Sequence, residues 1–581
     1  MRKPTAGPIL GLGGPYYHDS SACLVDADGR IDALVEEERL VRRKRNRWSR
    51  SCARAAAACL AHAGIRLADV AEVAVAWNPG WPAPAAQVDD PDIIRDLLDP
   101  AWFGGFSPPR LTIVDHHETH AASAFYLSGL DDAAVLVVDG AGDGKATSLY
   151  RGDANGLTLL DARPYTQSLG WFYESAAEHI GLGEGGEGAG KLMGLAAYGT
   201  PRFALEFVRD DPSLGYVIDL SAYGLTASAD HEDSTYFGRL KRAYAAAFTA
   251  AGVPQQRAAR RLESNTGRVV RDLNLDAKHA DLAASAQAVL ERSLLALARN
   301  ALHATGSDAI CLAGGVALNC SANGRLYRQS GARQFFVQPV AHDAGCAVGA
   351  ALVCARRDGR PAPERLTTTA LGPAYSDAAI GETLAFLQLP AEYLGDGIVE
   401  RTARALAGGA IVAWFQGRAE AGPRALGQRS ILADPRGVGV RDRINRDIKR
   451  RELWRPLAPS LLAADAGRFF DHTGQAEFMV VAHPSTAAAR ATIPAVIHVD
   501  GSLRPQVVEP AALPQFARLL SEFGRLTGVA ALLNTSFNGE DEPIVCSPAD
   551  ALKMFFSTPL DGLALGGFWI EKAPAATRTT P

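Results

Sequence analysis

The stretch "ILGLGGPYYHDSSACLVDADGRI", residues 9–31, decides the fold, because it returns in altered form as "LVVDGAGDGKATSLYRGDANGL", residues 136–157. Each copy reads as an apolar strand, a loop of small residues (Gly13-Gly14, then Gly140 to Gly144), a second strand, a tight turn and a third strand. The turns fall at Asp28-Gly29 and Asn155-Gly156, where glycine supplies the positive φ that a two-residue hairpin needs. The offset is about 127 residues, so a duplicated plan is expected.

Repeated hairpins of this kind are how actin-like ATPases hold phosphates, one from each half; two unrelated Gly-rich hairpins in an α/β protein would give the same pattern. A further strand and small-residue turn lie in "DAICLAGGVALNCSANGRL", residues 308–326, with Ala313-Gly314-Gly315 at the turn. Backbone N–H groups there can approach a nucleotide, and a helix N-terminus adds a favourable dipole. The preceding "DLAASAQAVLERSLLALARNAL" has helical apolar spacing, and "QFFVQP", residues 334–339, reads as a strand. Residues 1–360 therefore read as one duplicated α/β domain. Residues 361–395 are rich in Pro, Gly and Thr and read as a linker. Residues 396–581 read as a second α/β domain, opening with "IVAWF" and a loop of Gly and Arg.

A chain of 581 residues with 47% hydrophobic and 21% charged residues can bury several cores. The net charge of -5 argues against tracking a nucleic-acid backbone. Eight scattered cysteines without a CxxC pair suggest reduced, buried thiols rather than a zinc or redox site. Neither a signal-peptide core nor an 18-residue apolar run occurs, so a soluble cytoplasmic protein without a membrane partner is expected.

The histidines of "IVDHHETHAASAF", residues 113–125, point to a metal. The zinc-protease pattern HExxH is one residue short at His117-Glu118-Thr119-His120. His116 and His120 are four apart, and a helix starting near His116 would turn both rings to one ion. Asp343, in "VAHDAGCAVGAAL", is the expected third ligand; His342 competes with it, and Asp343 could instead cap its helix. His117 is expected to be structural.

Basic residues cluster on loops of the second domain: Arg418, Arg424, Arg429, Lys449, Arg450, Arg451, Arg455 and Arg504. Guanidiniums grip oxyanions bidentately, so this series suggests a polyphosphate or a carboxyphosphate-like substrate, with "NTSFN", residues 534–538, adding hydroxyl and amide groups. An ion-pair network with Glu420 and Glu452 is the competing reading. His18-Asp19 in the first hairpin offers a general base towards an alcohol, or only a loop hydrogen bond. "EGGEGAGKLMGLAAYG" is not a Walker loop, because Lys191 is followed by Leu192.

Nine strings occur in order along almost the whole chain: "YYHDSSACLV", "EEER", "DHHETHAASAF", "VVDGAGD", "EGAGKLMGLAAYG", "AGGVALN", "GRAEAGPRALGQRSILADPR", "KRRELWRPLAPS" and "LNTSFN". Together they resemble the O-carbamoyltransferase family, which includes nodulation protein U and the tobramycin and cephalosporin carbamoyltransferases of antibiotic biosynthesis. The resemblance implies an N-terminal actin-like (ASKHA-type) domain similar to the tRNA threonylcarbamoyl transferases, and a C-terminal YrdC-like domain. It implies that the C-terminal domain makes carbamoyl-adenylate from carbamoyl phosphate and ATP, with Mg(II), and that the N-terminal domain passes the carbamoyl group to a hydroxyl of a small-molecule natural product. Carried over by motif, His116, His120 and Asp343 hold Fe(II) or a similar ion. Gly140, Gly314, Gly315 and Asn319, with Lys191, hold the adenylate. Arg424, Arg429, Lys449, Arg455, Arg504 and Ser536 form the carbamoyl phosphate and ATP pocket. His18, with Asp19, is the expected catalytic base. A homodimer is compatible with the resemblance. The rivals are an actin-like ATPase or kinase and an RNA-modifying carbamoyl transferase. Residues 78–99 and 215–256 are where the acceptor would be chosen.

Overall fold

Short apolar runs punctuated by glycine build two five-stranded sheets of one design. The computed structural model describes residues 7–14, 18–47, 51–77, 97–103, 110–183, 186–213, 215–225, 236–256, 259–262, 269–272, 275–471 and 474–572. Tyr16, Tyr17 and, of the expected acceptor loops, residues 78–96 and 226–235 lie outside these. In the first sheet β1 (Ile9–Gly13), β2 (Ser21–Val25) and β3 (Ile31–Glu36) form an antiparallel meander, and β4 (Glu72–Val75) and β5 (Arg110–Ile113) add parallel to β1 in the order β3-β2-β1-β4-β5. The second sheet repeats it: β6 (Ala133–Gly142), β7 (Lys145–Asp153) and β8 (Gly156–Pro164) meander, then strands Ala309–Ala313 and Gln334–Val337 add parallel to β6. Order and strand senses match, so the duplication read from the two hairpins is present in the fold.

Each fifth strand leads into a helix, His116–Ser128 in one half and Cys346–Arg357 in the other, and these two helices pack together between the sheets. Small residues make the contact close. A methyl at Gly349 would overlap the Thr119 carbonyl, and side chains at Gly11 or Gly13 of β1 would run into the backbone around Ala347. The result is a layered domain. Helix Ala53–Ala63 covers the outer face of the first sheet, and helices Leu169–His179 and Ala277–Thr305 cover that of the second.

The third sheet has eight strands, with Val412–Phe415 between Gly562–Leu565 and Arg429–Ala433. Alternation along one strand divides two cores: Ala413 and Phe415 face one side, and Val412 and Trp414 face helices Ile398–Ala407 and Pro514–Thr527 on the other. The stretch 361–395 is less of a linker than its composition predicts. It contains helix Asp377–Phe386, capped by Ser376, whose Ile380 and Leu384 join the core of the third sheet, and strand Glu392–Tyr393, which forms that sheet's edge. Small residues on the other faces of that helix dilute its apolar period. All eight cysteines are free and buried. Among the described residues no helix is long and apolar enough to cross a membrane.

Gly349→Ala is expected to destabilise the chain by about 1–3 kcal/mol through overpacking and to weaken metal binding, because it separates the two central helices. Gly437→Ala, at a site with nothing within 4 Å, should leave the thermal unfolding midpoint unchanged.

Candidate functional site

The helix carrying the two histidines begins where the sequence predicts. Asp115 caps it, accepting from Glu118 N at 3.1 Å, and the i, i+4 spacing then aims both rings inward. His116 Nε2 and His120 Nε2 lie 3.1 Å apart. Asp343 Oδ1 is 3.7 Å from each of them. Asp139 Oδ2, at the end of β6, is 3.5 Å from His116 Nε2 and 3.9 Å from His120 Nε2. His116, His120, Asp139 and Asp343 are all buried, with one donor atom from each within 4.8 Å of the others. The three expected ligands thus lie together with a fourth candidate, Asp139. Asp139 escaped the sequence reading, although an acid at a strand end before a glycine loop, in "VVDGAGD", was its signal.

The donor set fits a divalent transition ion, with two imidazoles and two carboxylates. Its surroundings hold the ligands for that purpose. His116 Nδ1 lies 3.4 Å from the Ala76 carbonyl, which leaves Nε2 for the ion, and a side chain at Gly142 would fall on the His116 ring. Burial disfavours charge on His116, yet the hydrogen bond to Asp139 and the carboxylates of Asp343, Asp139 and Asp143 lift it to about 9. The shell is therefore built to hold positive charge. His117 turns away, with Nδ1 2.9 Å from Ser148 Oγ, and burial and then the charge of His116 push it well below the usual histidine value. His342 is not in the ligand group; its Nε2 lies 3.6 Å from Glu36 Oε2.

His18 stands at the rim. Its Nδ1 is 3.0 Å from Asp19 Oδ2 and 3.6 Å from Asp343 Oδ2, and the ring is partly open to solvent. Asp19 sits at φ 58°, a left-handed conformation that aspartate tolerates, and also pairs with Arg45 at 2.9 Å. Burial alone would raise Asp19, but Arg45 and His18 hold its carboxyl well below the usual range.

The glycines expected at the adenylate surround the metal shell. Gly315 N donates to Asp139 Oδ1 at 2.7 Å, and Gly314, at φ +88°, presses so closely on Val138 that a Cβ would strike its carbonyl. Gly140 lies one residue beyond Asp139, its carbonyl accepting from Ser168 Oγ at 2.6 Å. Asn319 is engaged within the fold, capping helix Cys320–Gln329 through Ala322 N at 3.0 Å and donating to Gln287 Oε1 at 3.0 Å. Lys191 reaches across to the C-terminal domain and pairs with Glu452 at 3.4 Å.

In that domain Arg424, Arg451, Arg455, Arg504 and Lys449 gather with few acids. Burial, then repulsion from Arg504 and Arg455, pulls Arg424 down to about 9. Lys449 and Arg451 are lowered well below their usual values, first by burial and then by neighbouring cations. Glu452 neutralises part of this charge, pairing with Lys191 and lying 3.8 Å from Arg455. Lys449 Nζ donates to Ser536 Oγ at 3.1 Å and Asn538 Oδ1 at 2.7 Å, fixing the "NTSFN" loop beside the cluster. Cations gathered with so few acids can receive an anion. Arg429 is separate from them. Fully buried over the Phe415 ring, 3.6 Å from its centroid, it donates to the carbonyls of Gln416, Gly417 and Gln428. Arg418 likewise donates to the carbonyls of Gly372 and Asp32.

Two family models identify the chain as a carbamoyl-transferring enzyme: the model described as "Carbamoyltransferase N-terminus" matches residues 105–352 and "Carbamoyltransferase C-terminus" matches residues 403–572. The chain belongs to the O-carbamoyltransferase family. Nodulation protein NolNO of Sinorhizobium fredii is 36% identical, over 98% of this chain and 81% of the relative. Nodulation protein NolO of Bradyrhizobium diazoefficiens is 38% identical, over 80% of each. The 3'-hydroxymethylcephem-O-carbamoyltransferase of Amycolatopsis lactamdurans is 34% identical over 45% of this chain and 48% of its own. A solved structure of full-length HypF, in its phosphate- and nucleotide-bound form, is 15% identical over 61% of this chain and 56% of that one, with a TM-score of 0.31, too slight a likeness to bear on the site.

His116→Ala and Asp139→Asn are each expected to lower bound metal at least tenfold by elemental analysis of the purified chain, since loss of even an outer-shell partner typically costs about 10–100-fold in metal affinity. Pyrophosphate should raise the thermal unfolding midpoint, since an anion bound only by the folded state stabilises it by about 2.7 kcal/mol at a hundred times its Kd. Arg455→Ala should abolish that shift.

Proposed function

We propose that the chain is an ATP-dependent O-carbamoyltransferase that acts on a hydroxyl of a small-molecule natural product. One observation carries this reading: Asp343 is shared, its Oδ1 facing the two metal-site histidines and its Oδ2 facing His18. A proton acceptor and a phosphate-gripping centre are thereby held side by side. That pairing suits an alcohol attacking an acyl phosphate.

In the C-terminal domain, read as YrdC-like, Arg424, Arg455, Arg504 and Lys449 with Ser536 would receive carbamoyl phosphate and Mg(II)-bound ATP. Carbamoyl phosphate and one water give carbamate and inorganic phosphate; the carbamate oxygen attacks the α-phosphorus of ATP, and pyrophosphate leaves. The arginines neutralise the negative charge that gathers as the P–O bond breaks. Carbamoyl-adenylate would then sit in the actin-like N-terminal domain, with Gly140, Gly314 and Gly315 allowing the close approach of its phosphate and Lys191 near the boundary. Asn319, already a helix cap, would serve by orienting that helix. A divalent ion on His116, His120, Asp139 and Asp343, Fe(II) by resemblance, would neutralise charge on the departing phosphate.

The carboxylates of Asp19 and Asp343 both face Nδ1 of His18, which fixes the ring proton there and leaves Nε2 as the acceptor. Nε2 takes the hydroxyl proton of the acceptor, the oxygen attacks the carbamoyl carbon, and the bond to the adenylate oxygen breaks to release AMP. Activation as an adenylate gives the enzyme a large nucleotide handle with which to position a small carbonyl. The cytoplasm, with its ATP, is the expected compartment, and neither membrane nor nucleic acid is a partner; a homodimer is an assembly open to the chain.

The products decide the reading. AMP and pyrophosphate in equal amounts, released only when carbamoyl phosphate is present, are expected; ADP would instead mark an actin-like kinase or ATPase. His18→Asn should leave pyrophosphate release within about twofold and lower carbamoyl transfer by 10²–10⁴-fold, the contribution of a general base. Transfer at the wild-type rate in that variant would remove His18 from its role.

A further inference from the structure

The segment "EEERLVRRKR", residues 36–45, buries more charge than any use so far given to it explains. Glu36, Glu38 and Arg39 are buried, as is Asp19. Their bonds run in one line between the two sites. On the C-terminal side Gly422 lies two residues before Arg424, in a left-handed conformation at φ +94°. Both its backbone polar groups are gripped by the N-terminal domain: its N–H donates to Glu36 Oε1 at 2.5 Å, and its carbonyl accepts from Arg39 Nη2 at 2.6 Å. Arg39 Nη1 donates to Glu38 Oε1 at 2.5 Å, and Glu38 Oε2 accepts from the Arg45 backbone N–H at 2.5 Å. Arg45 Nη2 donates to Asp19 Oδ2 at 2.9 Å, the oxygen that also faces His18. A branch leaves Glu36, whose Oε2 lies 3.6 Å from His342, the residue before Asp343. Arg42 fastens the same segment to the C-terminal domain through the carbonyls of Pro543 and Ile544 and the carboxylate of Asp550.

Such a line is a costly way to join two domains. Apolar contacts of the same volume would fasten them without removing the four buried charges of Glu36, Glu38, Arg39 and Asp19 from water, and the best-attested use of a buried charged network is to fix a register or a switch. Every bond in this one is directional, so a shift of Gly422 when Arg424 engages an anion is passed to Arg39, then to Glu38, Arg45 and Asp19. Apolar packing would absorb the same shift.

We propose that Arg39 is a positioning residue that couples anion binding at the arginines of the C-terminal domain to the His18–Asp343 arrangement at the metal centre. This rests on the proposed function only in treating the two sites as halves of one reaction. Coupling is reciprocal, so it is measurable without turnover. Pyrophosphate is titrated calorimetrically into the full-length chain, metal-free and loaded with cobalt(II). The two affinities are expected to differ by about fivefold or more, within the usual range of coupling between sites. In Arg39→Lys, which keeps the charge and loses the two-pronged donor, the ratio should fall to about one while each ligand still binds. Arg504→Ala should lose pyrophosphate binding in both forms. Equal affinities in the wild type overturn the proposal. So does a ratio unchanged in Arg39→Lys, and so does metal-dependent binding that survives Arg504→Ala, which would put the anion on the metal itself. Should Arg39→Lys fail to fold by circular dichroism, Glu38→Gln interrupts the same line and is read by the same ratio. An active enzyme without coupling refutes this relay alone, and a coupled chain that carbamoylates nothing refutes only the proposed function.

Discussion

The close crossing of helices His116–Ser128 and Cys346–Arg357 is the constraint on which the rest depends. Each helix follows the fifth strand of one half, so the crossing lies where the two halves of the duplication meet. Ligands from distant parts of the chain converge there because equivalent structural positions converge there. The first half contributes His116 and His120 from the start of its helix, and the second contributes Asp343 from just before its own. The first hairpin loop and strand β6 close the remaining sides with His18 and Asp139. A bulkier residue at the crossing would move half of the ligands away from the other half.

The two sites differ in electrical character, and that difference divides their labour. The N-terminal centre surrounds its histidines with carboxylates and calls for a cation. The C-terminal cluster sets arginines against one another with Glu452 as the nearest acid for several of them, and calls for an anion. Lys191 and Glu452 pair across the boundary between the two domains, so each domain presents a charge to the other there.

Much of this was legible in the sequence wherever local chemistry dictates local structure. Glycine-interrupted strands set the hairpins, and the spacing of His116 and His120 set a helix face. Asp343 drew attention as an acid between a strand and a small-residue helix start, although a helix cap would have looked the same in sequence. What was hidden depends on through-space pairing. Asp139 is one acid among 64 acidic residues until β6 is laid beside the histidine helix. Arg429 and Arg418 look like Arg424 in sequence, yet backbone carbonyls consume their donors, and no one-dimensional pattern reveals which carbonyls face a guanidinium. The helix at Asp377–Phe386 was obscured because only two of its residues need be apolar to join the core.

The burial of the cysteines has a practical side. Desolvation pushes Cys59, Cys311 and Cys354 up to about 12 and raises Cys23, Cys52, Cys346 and Cys546 as well, so almost none of these sulfurs is thiolate at neutral pH. Cys320 is enclosed at the start of its helix. A cysteine introduced on an exposed face would therefore be the one sulfur ready to react with a maleimide or a spin label. The molecule is in effect a blank background for labelling, and one tag on each domain would turn their separation into a distance that can be followed in solution.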